Sequence, residues 1–359
     1  MRVPRLNRVL LCLLAIAIAA AAAPSTAAAR LPLKAIWGPH VMPDGSSAFP
    51  VYRQLGVDVL EMQLVWKRIA PTRPAHPKDP DDPAYVWPEN VDEAVQNARS
   101  SGMQVALLVR GAPSWANGGR ASRWVLGAEK HYARFLIAAS RRYRTVRRWM
   151  IWGEPNQRSR FGPMPPHSRR APRLYAKLLD TAYGALKREN RRNIVVGGMS
   201  FSFGEIYPRD WLRWMRLPNG KPPRLDEYGH NPFSGRPPDI SLGGYPGFPA
   251  ARDISDLDRF AREIRQTYRT IGRRPRIWIS EFTVSSDRPD RAFNFAVSRE
   301  EQARWLRDGF GIARRVGAAG FGWFNLLDEP TTTPRGLTTG LMTYEGEHKP
   351  SFQAYQQLP

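Results

Sequence analysis

Two short apolar stretches of the chain each run into a glutamate. Trp149 to Gly153 precedes Glu154 and Pro155, and the run from Arg276 to Ser280 precedes Glu281. Short runs rich in Trp and Ile and bounded by Gly or Pro predict buried strands, and a proline cannot continue a central strand. Each glutamate alone is more commonly a solvated charge at a strand end. Together they are what a barrel enzyme with paired catalytic carboxylates would need.

The elements around these glutamates alternate between short apolar strands and helices. Eight strand-then-helix units predict a parallel sheet, and eight units favour closure into a single (β/α)8 TIM barrel of the α/β class. An open doubly wound sheet is the alternative, but no glycine-rich phosphate loop follows the first strand. The strands are predicted at residues 34–38, 57–66, 105–110, 149–153, 193–198, 225–230, 276–281 and 320–325.

The predicted strand ends also carry tryptophans and hydrogen-bonding groups. In such a barrel the active site lies at the carboxyl ends of the strands. Indole rings can stack on the apolar faces of sugar rings, while the hydroxyl groups of a sugar need polar partners. Any single tryptophan is more commonly a core residue, and a lone histidine is more commonly structural. As a set, the candidates for sugar binding are Trp37, Trp66, Trp115, Trp152, Asn156, His230, Asn231 and Trp323.

The first 29 residues have the pattern of a secretory signal peptide. Arg2, Arg5 and Arg8 precede an apolar run from Val9 to Ala23, and small residues follow. This predicts cleavage near residue 29 and one exported domain over residues 30–359, secreted or associated with the cell wall; a membrane anchor is the alternative. The only cysteine, Cys12, lies in this segment, so no thiolate or disulfide is expected in the mature chain. The six histidines show no ligand spacing, and neither a metal nor another cofactor is expected.

The chain is strongly basic, with a formal net charge of +22. Such a charge favours polyanions, for example an anionic cell-wall polymer, although arginines on solvated faces explain it equally well. Nucleic-acid binding is not expected, because the chain has neither a zinc-finger pattern nor an aromatic RNA-binding strand. The loop from Gln157 to Arg173 is rich in arginine and follows Glu154 directly. It is expected to favour acidic sugars or anionic polymers, with an ordinary solvated loop as the alternative.

Over most of its length the chain resembles the clan A glycoside hydrolases, in particular the family of β-xylosidases and α-iduronidases and the cellulase-like barrels. The resemblance implies a retaining glycosidase acting on a poly- or oligosaccharide, with Glu154 as general acid/base and Glu281 as nucleophile. Retaining enzymes hold these two carboxyl groups about 5–5.5 Å apart. The motifs that carry the resemblance are Trp66-Lys67-Arg68-Ile69-Ala70-Pro71, Ala112-Pro113-Ser114-Trp115, Trp152-Gly153-Glu154-Pro155-Asn156, Gly229-His230-Asn231-Pro232-Phe233, Ile279-Ser280-Glu281 and Lys349-Pro350-Ser351-Phe352.

Three positions depart from the pattern of those families. Gly153 stands where the families have an asparagine, Glu61 where they have an arginine, and Phe233 where they have a tyrosine. A carboxylate in place of a cation near Glu281 would disfavour the ionised form that a nucleophile needs. Two alternatives therefore stay open: a barrel that binds carbohydrate without hydrolysing it, and a basic wall-associated protein that binds an anionic polymer.

Overall fold

The computed structural model of the protein describes residues 31–289, 295–333 and 336–359. The predicted signal segment lies outside the described residues. Eight strands pair in parallel and in chain order, and the first strand pairs with the last, so the sheet closes into a barrel. The strands are β1 (Leu33–Trp37), β2 (Val59–Val65), β3 (Gln104–Arg110), β4 (Arg148–Ile151), β5 (Ile194–Phe201), β6 (Glu227–Asn231), β7 (Arg276–Phe282) and β8 (Gly320–Phe324). The predicted (β/α)8 barrel is confirmed.

Helices follow the strands and cover the outside of the barrel. The α-helices in the described ranges are α1 (Phe49–Leu55), α2 (Trp66–Ile69), α3 (Glu89–Ser100), α4 (Ser114–Asn117), α5 (Glu129–Arg142), α6 (Arg170–Glu189), α7 (Pro208–Trp214), α8 (Leu257–Arg269), α9 (Arg299–Val316) and α10 (Pro350–Gln356). Two 3₁₀ turns, Ile240–Leu242 and Ile254–Asp256, lie in the long connection between β6 and α8. Trp66, predicted as the last residue of the second strand, begins α2 instead.

Local sequence signals explain where these helices begin and end. Ser298 caps α9 by accepting a hydrogen bond from the backbone N–H of Glu301 at 3.1 Å, which is half of a capping box. The same helix ends at Gly317, whose φ of 69° lies in the left-handed region that favours glycine. Such caps fix the phase of each helix, so that its apolar stripe faces the barrel.

Two apolar layers make the core. The larger lies between the barrel and its helices, while the smaller fills the barrel interior with residues such as Ala35, Leu108, Met150 and Trp278. The interior also holds an ion pair at the amino ends of two strands, where the Nε atom of Arg148 lies 2.9 Å from a carboxylate oxygen of Glu227. These layers hold the strand ends rigidly, which is the condition for precise side-chain placement around a site. In the part of the chain that the structure describes, no helix is both long and apolar enough to cross a bilayer.

Candidate active site

A cavity of about 670 Å³ opens at the carboxyl ends of the strands, and both candidate glutamates line it. Glu154 follows β4, and Glu281 lies near the end of β7. Gln157 and Arg160 contribute further polar groups, and aromatic rings form much of the remaining surface. The barrel therefore brings together two carboxyl groups that are far apart in the sequence.

The backbone on either side of Gly153 directs Glu154 into the cavity. Trp152 and Glu154 have φ values of 65° and 49°, a region that non-glycine residues rarely adopt and that is common at functional sites. A Cβ atom on Gly153 would lie 3.1 Å from the Leu108 Cδ2 atom. A larger residue at position 153 would therefore require the Leu108 side chain to shift by a few tenths of an ångström.

Three side chains contact the carboxylate of Glu154. Gln157 donates to Oε2 at 2.6 Å, Asn231 donates to Oε1 at 3.2 Å, and the Nε atom of Arg160 lies 3.7 Å from Oε2. Burial raises the pKa of Glu154, and the charge of Arg160 and the two hydrogen bonds oppose this rise. A carboxyl group with a raised pKa keeps its proton to higher pH, which is what a general acid requires.

A bulge near the end of β7 places Glu281 in the cavity. Trp278 and Ser280 both point into the barrel interior, since Trp278 packs there and Ser280 contacts Met150. Regular alternation would send Glu281 outward. The pairing of β7 with β8 shifts its register between Ile279 and Phe282, and this irregularity turns Glu281 toward the cavity.

Arg110, which the sequence analysis missed, is the last residue of β3. Its guanidinium interacts electrostatically with both Glu154 and Glu281. Burial, and secondarily Arg160, lower the pKa of Arg110, yet an arginine remains cationic under all ordinary conditions. A cation beside both carboxyl groups favours their ionised forms. Its position at a strand end was the signal that could have identified it.

The departure at position 61 is also explained by the structure. Glu61 points into the barrel interior, is completely buried, and accepts a hydrogen bond from the indole of Trp278. It interacts electrostatically with Glu281. Burial raises the pKa of Glu61 well above its ordinary value, which favours the neutral form of this carboxyl group. In its neutral form Glu61 would repel Glu281 only weakly.

Three of the predicted sugar-stacking tryptophans belong to the core instead. Trp66, Trp152 and Trp323 are at most 1% exposed. The Trp66 ring packs between aromatic neighbours, the Trp152 indole donates to the carbonyl oxygen of Arg160, and that of Trp323 donates to the carbonyl oxygen of Thr339. These rings have no free face, which corrects the expectation that they contact a sugar. A residue at a strand end can point outward to the helices as easily as inward.

Trp37 and Trp115 are half-buried and do not line the cavity. The indole of Trp37 donates to the carbonyl oxygen of Ser280 at 3.0 Å, just before Glu281. The indole of Trp115 donates to the carbonyl oxygen of Ala70 and lies edge-on to Trp66. Trp37 thus supports the strand that carries Glu281, while Trp115 fastens the turns after β2 and β3.

The three predicted polar ligands have different roles. Asn156 is completely buried, and its side chain is bonded to the backbone of Phe201 and Ile206. His230 is also buried. Its Nε2 atom lies 2.8 Å from the carbonyl oxygen of Arg252, and its Nδ1 atom lies 2.8 Å from the carbonyl oxygen of Ser200. Burial lowers the pKa of His230 to about 4. These two are structural, which corrects the expectation. Only Asn231 contacts a candidate catalytic group.

One arginine of the loop from Gln157 to Arg173 lies in the cavity. Arg160 lines it beside Glu154. Arg169 packs over the ring of Trp214, and together with Arg170 and Arg173 it lines a separate depression of about 350 Å³. The loop therefore contributes one arginine to the candidate site and three others to a separate basic depression. Among the residues that the structure describes, no cluster of three His, Cys, Asp or Glu side chains could hold a metal ion.

No protein-family model matches the sequence, and no curated protein matches it. Solved structures do match. A family 39 glycoside hydrolase from the gut symbiont Bacteroides cellulosilyticus WH2 superposes with a TM-score of 0.66 at 19% identity, over 91% of this chain and 63% of that one. The chain has the fold of a family 39 glycoside hydrolase. The predicted resemblance to clan A glycoside hydrolases is thereby confirmed at the level of the fold.

Two further structures support the same fold. A glucosidase from Croceicoccus marinus matches with a TM-score of 0.63 at 15% identity, over 91% of this chain and 66% of that one. A monomeric β-xylosidase from Caulobacter crescentus CB15 matches with a TM-score of 0.60 at 16% identity, over 91% and 67%. This chain thus spans about two thirds of the length of the proteins it resembles.

Proposed function

We propose that this chain is a retaining glycoside hydrolase that cleaves O-glycosidic bonds. The observation that carries the proposal is the placement of Glu154 and Glu281, at the ends of β4 and β7, in one cavity of this barrel. Glycoside hydrolysis by retention needs two carboxyl groups with different protonation states and a site large enough for a sugar. The cavity holds two carboxyl groups and has a volume of about 670 Å³. The solved glycosidases that share the fold also support the proposal.

In the proposed mechanism Glu281 attacks the anomeric carbon while Glu154 gives its proton to the leaving oxygen. A covalent glycosyl–enzyme ester forms, and the leaving group departs as an alcohol. Glu154, now ionised, takes a proton from water, which attacks the anomeric carbon and releases Glu281. Burial supports the acid role by raising the pKa of Glu154, although Arg110 partly opposes that rise. Arg110 also interacts with Glu281, and its charge favours the ionised form that a nucleophile needs.

A barrel that binds carbohydrate without turnover is the second candidate. The observation that favours it is Glu61, a buried carboxyl group that interacts with Glu281 where related families have a cation. If Glu61 ionised, Glu281 would lose nucleophilic character. Glu154, Glu281 and the cavity would then serve for binding alone.

Binding of an anionic wall polymer is a further candidate, favoured by the basic depression around Arg169, Arg170 and Arg173. Such binding would weaken steeply as the salt concentration rises, because exposed charges are screened within about 10 Å at 0.1 M salt. Sugar binding in the cavity would be much less sensitive to salt.

The deciding experiment is an activity screen on aryl glycosides of several sugars and on cell-wall polysaccharides. We expect cleavage of at least one substrate, complete loss in Glu281→Ala, and a loss in Glu154→Ala that depends on the leaving group. Glu345→Ala, which removes an exposed glutamate outside the cavity, is the matched control and should keep full activity. Wild-type activity in both cavity variants would refute the assignment, and a parent that binds sugars but cleaves none would favour the second candidate.

We also propose that the protein is exported, on the strength of the basic and apolar pattern of residues 1–29. N-terminal sequencing of protein recovered from the culture medium tests this. A secreted chain that begins near residue 30 would support export, and a chain that retains Met1 would contradict it.

A further inference from the structure

One side of the cavity is a continuous set of aromatic rings, the aromatic wall, formed by Phe201, Phe203, Phe233, Tyr245 and Phe248. Phe201 ends β5, and the others come from the segments that follow β5 and β6. Their centroids lie 4.8–6.2 Å apart from Phe233 through Phe201 and Phe203 to Tyr245 and Phe248. Such spacing is typical of edge-to-face and offset aromatic packing. The wall therefore behaves as one apolar surface.

The wall is fastened to the turn that carries Glu154. The side chain of Asn156 accepts from the backbone N–H of Phe201 and donates to its carbonyl oxygen, both at 2.8 Å. Gly204 packs against the same side chain, because a Cβ atom there would lie only 2.4 Å from the Asn156 Nδ2 atom. The base of the wall is thus fixed on the Glu154 side of the cavity.

Two polar groups beside the wall, Ser234 and Arg236, already have partners within the protein. The hydroxyl oxygen of Ser234 lies 2.8 Å from a carboxylate oxygen of Asp253 and 2.8 Å from the carbonyl oxygen of Arg236, so its single proton is shared between these acceptors. The guanidinium of Arg236 is paired with Asp253 and packs over the ring of Tyr245, 5.0 Å from its centroid. Phe248, in contrast, is 42% exposed. The four phenylalanine rings of the wall offer no hydrogen-bond partners to the hydroxyl groups of a sugar, whereas a flat apolar ring needs none.

We infer that the aromatic wall is the leaving-group subsite and that it takes an aromatic aglycone, such as a phenol, rather than a second sugar. The inference rests on the proposed function, because the general acid Glu154 must stand beside the leaving oxygen, and it narrows the substrate class. A phenolic ring would stack on Tyr245 and Phe248 while its oxygen receives the proton of Glu154. Remote contacts of this kind position the reacting bond.

Binding of hydrolysis-resistant thioglycosides, measured by calorimetry, tests the inference without requiring turnover. Phenyl and methyl thioglycosides and a thio-linked disaccharide are compared for xylose, glucose and glucuronic acid. For at least one sugar, we expect the wild type to bind the phenyl compound about tenfold or more tightly than the methyl compound and more tightly than the disaccharide. Phe248→Ala and Tyr245→Ala should each remove most of that preference. Tyr344→Ala, which truncates an exposed tyrosine outside the cavity, should retain it.

The outcomes separate this inference from the proposed function. Equal binding of phenyl and methyl compounds, tighter binding of the disaccharide, or no binding of any phenyl compound would each overturn the aromatic subsite. If that happened while aryl glycosides or polysaccharides were still cleaved, the glycosidase assignment would stand. A phenyl preference in a protein that cleaves none of the aryl glycosides or polysaccharides would show that the wall binds aromatic rings, but it would overturn the role of the wall as a leaving-group subsite and favour the barrel that binds without turnover.

Discussion

Glu61 accepts a hydrogen bond from the Trp278 indole at 2.8 Å across the barrel interior, and both side chains are completely buried. Its other oxygen, Oε2, has no hydrogen-bond partner within the described residues. Gly322 on β8 makes the space, because a Cβ atom there would lie 2.6 Å from that oxygen. Ionising Glu61 in this setting is costly, so its pKa is raised well above the ordinary value, chiefly by burial.

Glu61→Gln should therefore stabilise the protein at neutral pH. Because the folded chain holds this proton at pH values where the unfolded chain has lost it, the stability of the wild type falls as pH rises above about 4.3. Glutamine does not titrate, so the variant does not lose stability in this way. The difference in the free energy of unfolding between variant and wild type should therefore grow by up to about 1.4 kcal/mol per pH unit until Glu61 ionises in the folded state. Denaturant unfolding at pH 4 and pH 7 measures the difference.

The exposed Glu345 supplies the control for that comparison, since Glu345→Gln should change stability little at either pH. If the stability difference between Glu61→Gln and the wild type does not change between pH 4 and pH 7, Glu61 is ionised in the folded protein. That result would also strengthen the case for a binding barrel without turnover.

The order and type of the strands could be predicted because most of them are short apolar runs between loops or helices, although β6 (Glu227–Asn231) is largely polar. Glu154 was identifiable for the same reason, as Pro155 ends its strand. The alternation of eight strands with helices leaves few topologies, and right-handed parallel crossovers favour closure. The alternation of strands and helices thus predicts the barrel, and the residues that end the strands indicate the end of the barrel at which a site can form.

The direction of each strand-end side chain could not be predicted. Trp152 and Trp323 lie at the carboxyl ends of their strands, as the cavity residues do, yet they point into the core. Glu281 enters the cavity only because a bulge breaks the alternation of β7. The aromatic wall comes from long connections whose course depends on tertiary contacts such as those of Asn156. Periodicity carries no information about such contacts.

Azide should distinguish the roles of the two candidate catalytic residues. In Glu154→Ala the first step survives for substrates with very acidic leaving groups, such as dinitrophenyl glycosides, while the second step loses its base. The loss should be about 10²–10⁴-fold and should increase as the leaving group becomes less acidic. Added azide should attack the covalent intermediate and give a glycosyl azide of retained configuration, whereas Glu281→Ala with azide should give the inverted product. Product configuration by NMR decides between them, and reversed configurations would exchange the two roles.

Asn156→Ala should destabilise the protein by about 2–3 kcal/mol, because it leaves the buried backbone groups of Phe201 and Ile206 without partners. It should also weaken phenyl thioglycoside binding by loosening the aromatic wall. Chemical denaturation measures the first effect, and Asn97→Ala, at an exposed helix position, is the control, with a change within about 0.5 kcal/mol. If Asn156→Ala unfolds like the wild type but loses sugar binding, Asn156 is a ligand residue after all.

Arg160 should affect both the protonation of Glu154 and the choice of substrate charge. Its Nε atom lies 3.7 Å from Glu154, and its charge opposes the rise in the pKa of Glu154 that burial causes. In Arg160→Gln that pKa should rise further, so the basic limb of the pH profile of kcat/KM, where the general acid loses its proton, should move to higher pH. A substrate carboxylate would compete with Glu154 for Arg160. In Arg160→Gln the ratio of kcat/KM for uronides to kcat/KM for neutral glycosides should therefore fall about tenfold.

Arg158→Gln, which changes an exposed neighbour outside the cavity, is the control and should change neither the basic limb nor this ratio. Equal effects of Arg160→Gln on charged and neutral substrates, with an unmoved basic limb, would show that Arg160 has no part in either.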